Sequence, residues 1–78
     1  MGDIILPKVG MGVTEVEISH WKVKVGDKVN IGSPLVEIEM EKLSTVLEST
    51  RSGTVKEILF KEGEIVSVGS IICIIKED

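Results

Sequence analysis

The chain has 78 residues, of which 42% are hydrophobic and 28% are charged, and its formal net charge is −4. This length predicts one domain with a thin core, the composition is typical of a globular chain, and the acidic balance argues against nucleic acid as a partner. No apolar run approaches the roughly 20 residues that a membrane span needs, so no membrane partner is expected.

Short segments rich in Val, Ile and Thr alternate with clusters of Gly, Asp, Asn, Pro and Ser, and no long segment has helical periodicity. This pattern is typical of an all-β domain of short strands. In chain order, the predicted strands cover about 3–6, 15–21, 28–31, 35–40, 44–48, 54–60, 65–67 and 71–76. The polar residues 76–78 are predicted to start a linker, so residues 1–78 are expected to hold one domain.

The glycines between these strands are predicted to serve turns and loops. Gly10 and Gly12 lie in "VGMGVT", where no helix follows, so they form no phosphate loop and are expected in a mobile loop. Gly26 and Gly63 precede acidic residues between strands, which predicts turns with positive φ.

An internal repeat relates residues 20–38 to residues 57–75 without a gap. It places Gly26 on Gly63, and it aligns the apolar positions of the two copies. Two copies are too few for a solenoid. We therefore expect two similar four-stranded halves that pack face to face, in a flattened barrel-sandwich with an approximate two-fold axis.

The segment "EMEKLST", residues 39–45, separates two predicted strands and places Lys42 at the crest of a hairpin, beside Glu39 and Glu41. Under the offset of the repeat, the counterpart of Lys42 would lie one residue beyond Asp78. A two-fold axis puts equivalent places on opposite sides, so Lys42 is expected to project away from both termini. This placement suits a reactive handle better than an ordinary surface lysine.

Four segments covering nearly the whole chain, "LPKVGMGVTEVEI", "WKVKVGDKV", "LVEIEMEKLSTVLES" and "SGTVKEILFKEGEIVSVGSIICII", resemble the lipoyl domains of 2-oxo acid dehydrogenase complexes. In that family the lysine at the hairpin tip carries lipoate in amide linkage, so the resemblance implies this role for Lys42. Met40, Glu41, Leu43 and Val16 depart from the family pattern, and the Glu-Lys step is similar to that of acetoin dehydrogenase components. The resemblance thus leaves the type of complex open.

The resemblance implies a carrier module of a dihydrolipoamide acyltransferase, without an active site of its own and without a metal site. Its partners would be a lipoate ligase or lipoyltransferase, a thiamine-diphosphate-dependent dehydrogenase component, an acyltransferase domain and dihydrolipoamide dehydrogenase. Recognition is predicted at the loop 8–13, through Met11 and Val13, and at Glu39 and Glu41. The expected location is the bacterial cytoplasm, or the mitochondrial matrix in a eukaryote.

Two alternatives remain open at this point. A biotinyl domain shares the fold, but its lysine lies in A-M-K-M, whereas Glu41 and Leu43 flank Lys42 here. An unmodified structural barrel has no reason to keep a lysine at the tip.

Three other residues are expected to have structural roles. Trp21 is predicted to pack against the core, His20 to face solvent, and Cys73 to be a buried, inert thiol.

Overall fold

Eight antiparallel strands make up the computed structural model, which describes residues 2–41 and 43–77. They are β1 (Gly2–Ile5), β2 (Glu15–Trp21), β3 (Lys28–Val29), β4 (Pro34–Met40), β5 (Leu43–Glu48), β6 (Gly53–Ile58), β7 (Ile65–Ser67) and β8 (Ile71–Glu77). The all-β prediction is confirmed, and the strands lie close to their predicted bounds. In the described part of the chain, no helix is long and apolar enough to cross a bilayer.

The strands form two four-stranded sheets with matching orders, β1-β8-β6-β3 and β5-β4-β2-β7. If four is added to each strand number, with the count returning to β1 after β8, the first order becomes the second. This match confirms the predicted two-fold relationship. The hydrogen bonds repeat as well: the Gly26 amide donates to the Val55 carbonyl at 2.8 Å, and the Gly63 amide donates to the Ile18 carbonyl at 2.7 Å. The predicted turn glycines have φ values of 99° and 91°, so their expected backbone conformation is confirmed.

Each sheet combines strands from both copies of the repeat, which the sequence did not indicate. The short strand β3 pairs with β6 and not with its neighbours in sequence, β2 and β4. Likewise, β7 pairs with β2 and not with its neighbours β6 and β8. The turn before β3 reaches across to the other sheet, where the Val55 amide donates to the Asp27 carbonyl at 2.8 Å. The two halves are therefore interlocked rather than simply stacked.

The core lies between the sheets and comes from the inward positions of alternating strands. In β2, for example, Val16 and Ile18 are buried while Glu15 and Glu17 are exposed. The buried apolar side chains are Ile4, Leu6, Val16, Ile18, Val29, Leu35, Val36, Ile38, Val55, Val66, Ile72, Cys73 and Ile75. Full burial of an aliphatic side chain of this size contributes about 1.5–3 kcal/mol, so these positions dominate the stability of the fold.

The structural roles predicted for three residues are observed. Trp21 packs on the edge of the core, and its Nε1–H donates to the Phe60 carbonyl at 2.8 Å. Cys73 is fully buried, and desolvation raises the pKa of its thiol to about 11. His20 is exposed, with its Nδ1 3.0 Å from a Glu62 carboxylate oxygen.

The last strand extends further than the sequence predicted. Lys76 pairs with Thr54 and Glu77 pairs with Gly53 in the ladder between β6 and β8. Lys76 was predicted as the last residue of this strand, and Glu77 extends it by one residue into the segment 76–78 that was predicted to start a linker. Backbone pairing does not depend on apolar side chains, and an ion pair of 3.2 Å between Arg51 and Glu77 holds this end as well. Asp78 lies outside the described residues.

Candidate functional site

Strands β4 and β5 form the predicted hairpin, and their last paired residues are Met40 and Leu43. Two residues, Glu41 and Lys42, connect them, and Lys42 lies outside the described residues. Glu41 has a φ of 29°, in the left-handed range. Two-residue hairpin turns commonly need positive φ, because their twist then matches that of the strands. The described residues on both sides therefore end the two strands at Met40 and Leu43.

The hairpin carries two glutamates, Glu39 and Glu41, close to its turn. Glu39 lies directly opposite Glu17 of β2, and its carboxylate accepts a hydrogen bond from the Ser19 hydroxyl at 3.2 Å. Neither Glu39 nor Glu41 forms an ion pair with a residue of the described ranges. Like charges opposite each other on a sheet destabilise it by up to about 1 kcal/mol, so this arrangement does not serve stability. With Leu43 and Ser44, these two glutamates line the acidic hollow, of about 250 Å³.

The loop between β1 and β2 lies beside the hairpin, as predicted for residues 8–13. A second hollow, of about 560 Å³, separates them. We call it the apolar hollow; it is lined by Val9, Gly10, Met11, Gly12, Val13, Thr14, Glu15, Met40, Glu41 and Leu43. A tight turn shapes the loop: the Val13 amide donates to the Gly10 carbonyl at 3.2 Å, and Gly12 has a φ of 80°.

The two loop residues predicted to contact a partner differ in exposure. Met11 is fully exposed, whereas Val13 is half-buried and packs against the core. Met11 is thus available to a partner over its whole surface, while Val13 presents only part of its side chain. The structure brings both residues together with Glu41 around the apolar hollow and places Glu39 on the acidic side of the hairpin.

The described chain ends lie away from the hairpin. At the hairpin end of β2, the Thr14 carbonyl accepts a hydrogen bond from the Val68 amide at 2.9 Å, and β8 begins three residues later. From there β8 runs for seven residues to Glu77, which at about 3.3 Å per residue is roughly 20 Å. Gly2 pairs with Ile75 near this far end. The arrangement agrees with the expectation from the two-fold repeat.

Sequence reasoning missed the contribution of Leu43 and Val9 to this region. The Leu43 side chain is 67% exposed directly after the turn, and the half-buried Val9 lines the opposite wall of the apolar hollow. The apolar Leu43 directly after Lys42 is a visible sequence signal, and it also departs from the family pattern. The hollow itself forms between segments that lie far apart in the sequence, so no local pattern indicates it.

Comparisons with known proteins agree with this architecture. A family model described as "Biotin-requiring enzyme" matches residues 2–75. The dihydrolipoyllysine-residue acetyltransferase component of the acetoin cleaving system of Bacillus subtilis is 40% identical over 72 residues, which cover 92% of this chain and 18% of that protein. This chain thus spans less than a fifth of that relative.

Two solved structures share the fold over nearly the whole chain. The lipoyl domain of the 2-oxoglutarate dehydrogenase complex from Azotobacter vinelandii superposes with a TM-score of 0.76 at 25% identity, over 96% of this chain and 95% of that one. The urea carboxylase of Kluyveromyces lactis superposes with a TM-score of 0.78 at 28% identity, over 97% of this chain and 6% of that one.

Proposed function

This chain belongs to the biotin and lipoyl attachment family and is a lipoyl domain, and on that premise we propose that Lys42 is the residue that carries its lipoyl group. The observation that supports the proposal is the two-residue turn between Met40 and Leu43. The register leaves Glu41 and Lys42 between the two strands, and of these two side chains only the lysine has an amine that can form an amide.

The residues around the turn fit a lipoyl group. The exposed Glu41 and Leu43 leave the turn open to a modifying enzyme, and the apolar hollow offers contacts to a hydrocarbon chain. When attached, lipoate supplies a dithiolane that can accept an acyl group and two electrons. The domain contributes position: it carries the attachment point between two paired strands and raises the local concentration of the arm near each partner site. Lipoate is favoured over biotin because methionine does not flank Lys42 on either side.

We place the domain in a dihydrolipoamide acyltransferase of a 2-oxo acid or acetoin dehydrogenase complex. The similarity to the Bacillus subtilis acetyltransferase component supports this context. Its partners are then a lipoate ligase or lipoyltransferase, a thiamine-diphosphate-dependent dehydrogenase, the acyltransferase domain and dihydrolipoamide dehydrogenase. The location is the bacterial cytoplasm or the mitochondrial matrix, with which the buried, unpaired Cys73 is compatible.

Intact mass after coexpression with a lipoate ligase tests the attachment site. The parent chain and a Lys24→Gln control, changed at an exposed turn lysine, should gain one lipoyl increment, and Lys42→Gln should gain none. All three should fold, because exposed substitutions usually change stability by less than about 0.5 kcal/mol. A lipoyl increment on Lys42→Gln would contradict the assignment, and a biotin increment after coexpression with a biotin ligase would favour the rival cofactor.

We further propose that the dehydrogenase component recognises the loop 8–13 together with Glu39 and Glu41. This proposal is supported by the full exposure of Met11 and by the two glutamates, which form no ion pair with another described residue. The double change Met11→Ser and Val13→Ser should leave lipoylation intact and lower the rate of reductive acylation at equal concentrations of lipoylated domain. Ile31→Ser, an exposed apolar residue outside both hollows, is the control. Equal rates for the parent and the double variant would remove the loop from the recognition surface.

A further inference from the structure

We propose that a group of aliphatic side chains on the outer face of the β1-β8-β6-β3 sheet is a second docking surface for the dehydrogenase component. We call it the aliphatic patch; it consists of Ile5, Leu59, Ile71 and Ile74. The inference rests on the proposed function and extends partner recognition from the loop 8–13 to an adjoining face of the sheet. The partner surface that fits it presents aliphatic side chains flanked by basic groups.

The aliphatic patch spans three neighbouring strands at the hairpin end of the sheet. Ile5 of β1 pairs with Ile71, the first residue of β8. The Leu59 amide, directly after β6, donates to the Ile72 carbonyl at 3.0 Å, so Leu59 lies on the other side of the same stretch of β8. Ile74 continues the patch along β8. The four residues therefore form one continuous surface.

The alternation of side chains along the strands turns this surface away from the core. Each patch residue is preceded or followed by a residue that is buried in the core or packs against it, so the patch residue itself points to the outer face. The exposed fractions are 52% for Ile5, 39% for Leu59 and 39% for Ile71, and Ile74 is half-buried. Contiguous exposed apolar groups, unlike scattered ones, mark interaction surfaces.

The two-fold repeat provides an internal comparison, because each patch position has a counterpart on the other sheet. The repeat assigns three counterparts directly, and the fourth follows from the pairing of the strands, since Pro34 pairs with Glu48 as Ile71 pairs with Ile5. The counterparts are three charged residues and a proline, namely Lys22, Pro34, Glu37 and Glu48.

The counterparts show that the fold does not need aliphatic side chains at these places. The Lys22 ammonium lies 3.8 Å from a Glu37 carboxylate oxygen, where the patch has Leu59 and Ile74. The same strand arrangement thus accommodates an exposed ion pair in one half of the domain and apolar surface in the other. Apolar surface that packing does not require is explained by a partner that covers it.

Charge at the rim of the aliphatic patch selects the kind of partner. Asp3 and Glu57 pair with Ile74 from its two sides, and neither forms an ion pair with another described residue. Lys76 lies beyond them, at the end of β8 that is remote from the loop. A second copy of this chain is a poor occupant, because it brings the same carboxylates and the same net charge of −4. Basic groups beside an aliphatic surface meet the rim with opposite charge.

The position of the aliphatic patch connects it to the dehydrogenase component. Only Leu6 and Pro7 separate Ile5 from the loop 8–13. The Leu6 amide donates to the Ser70 carbonyl at 2.9 Å, so the base of the loop is held beside the start of β8. An enzyme that contacts the loop can therefore cover the patch in the same complex.

Polar substitutions first test whether the fold needs the patch. Leu59→Lys copies the counterpart Lys22, and Ile5→Gln is the neutral form of the counterpart Glu48. Both variants should take up lipoate fully, as measured by intact mass, and should melt within about 4 °C of the parent. A much larger fall in Tm for both would show that the patch serves stability and would overturn the inference.

Steady-state kinetics of reductive acylation by the cognate dehydrogenase component then measure docking. With the lipoylated domain as substrate, Leu59→Lys and Ile5→Gln should each raise KM about five-fold or more, with kcat close to that of the parent, because the patch binds the enzyme and does not touch the reacting dithiolane. Val46→Gln is the matched control. Val46 is an apolar residue of the other sheet with 41% exposure, and its substitution should leave KM unchanged.

The outcomes separate this inference from the proposed function. A chain that takes up no lipoate at Lys42 would refute the proposed function. Fully lipoylated patch variants with the KM of the parent would overturn the docking surface and leave the attachment intact. An equal rise in KM for Val46→Gln would show a general effect of surface polarity, and it would overturn the docking surface as well.

Discussion

Valine at Gly26 or Gly63 should destabilise the domain through the backbone alone. The φ values are 99° and 91°, and a Cβ atom built at either position would meet no atom within 4 Å. The cost therefore does not come from a clash with neighbouring groups. It comes from a β-branched residue in a conformation that L-residues avoid, which costs about 2–3 kcal/mol.

Two further effects decide the net value. Neither turn can relax easily, because a hydrogen bond ties each glycine to a strand elsewhere in the fold. The Gly26 amide donates to the Val55 carbonyl, and the Gly63 amide donates to the Ile18 carbonyl. Removing a glycine also restricts the unfolded chain, which returns about 0.4–1 kcal/mol. The net loss should therefore be about 1–2.6 kcal/mol for either variant, or a fall in Tm of roughly 4–20 °C for a domain of this size.

Urea unfolding and thermal melting followed by circular dichroism measure this loss. Gly26→Asn is the matched control and should lose less, because asparagine tolerates positive φ better than valine. A valine variant within about 0.5 kcal/mol of the parent would refute the argument from backbone strain. A large loss at Gly26 without a similar loss at Gly63 would refute their equivalence in the repeat.

Three smaller experiments test other parts of the fold. Burial raises the pKa of the Cys73 thiol to about 11 from its ordinary 9.0, so the thiol of the unfolded chain ionises at a lower pH than that of the folded chain. The free energy of unfolding should therefore fall between pH 9 and 11 by up to roughly 2–3 kcal/mol. In urea titrations across that range, Cys73→Ala should not show this fall. Trp21→Phe removes the donor to the Phe60 carbonyl and should cost about 1–2 kcal/mol in the same assay; an unchanged midpoint would show that the bond adds nothing. Gly53→Ala would overlap the Lys76 carbonyl oxygen of the neighbouring strand and should cost more than about 2 kcal/mol, so a melting temperature equal to that of the parent would contradict the close packing of β6 on β8.

The sequence determined the local features of this domain. Alternation of apolar and polar residues located the strands, because the side-chain period of a strand is two. The repeat predicted equivalent turns, since only glycine accepts the φ values of Gly26 and Gly63 without strain. The spacing of residues 34–48 likewise predicted a hairpin around Lys42, because a short polar segment between two alternating runs leaves little room for any other connection.

The tertiary structure decided what depends on contacts between distant segments. Pairing of β3 with β6 and of β7 with β2 interlocks the two copies of the repeat, and no pattern within one strand specifies its partner. The same holds for the apolar hollow, where Met11 and Leu43 meet across about thirty residues of sequence. Glu77 extends the last strand because β6 offers it a backbone partner, although its side chain is polar. Local patterns fix which face of a strand is buried, but the choice of neighbour is a property of the whole folded chain.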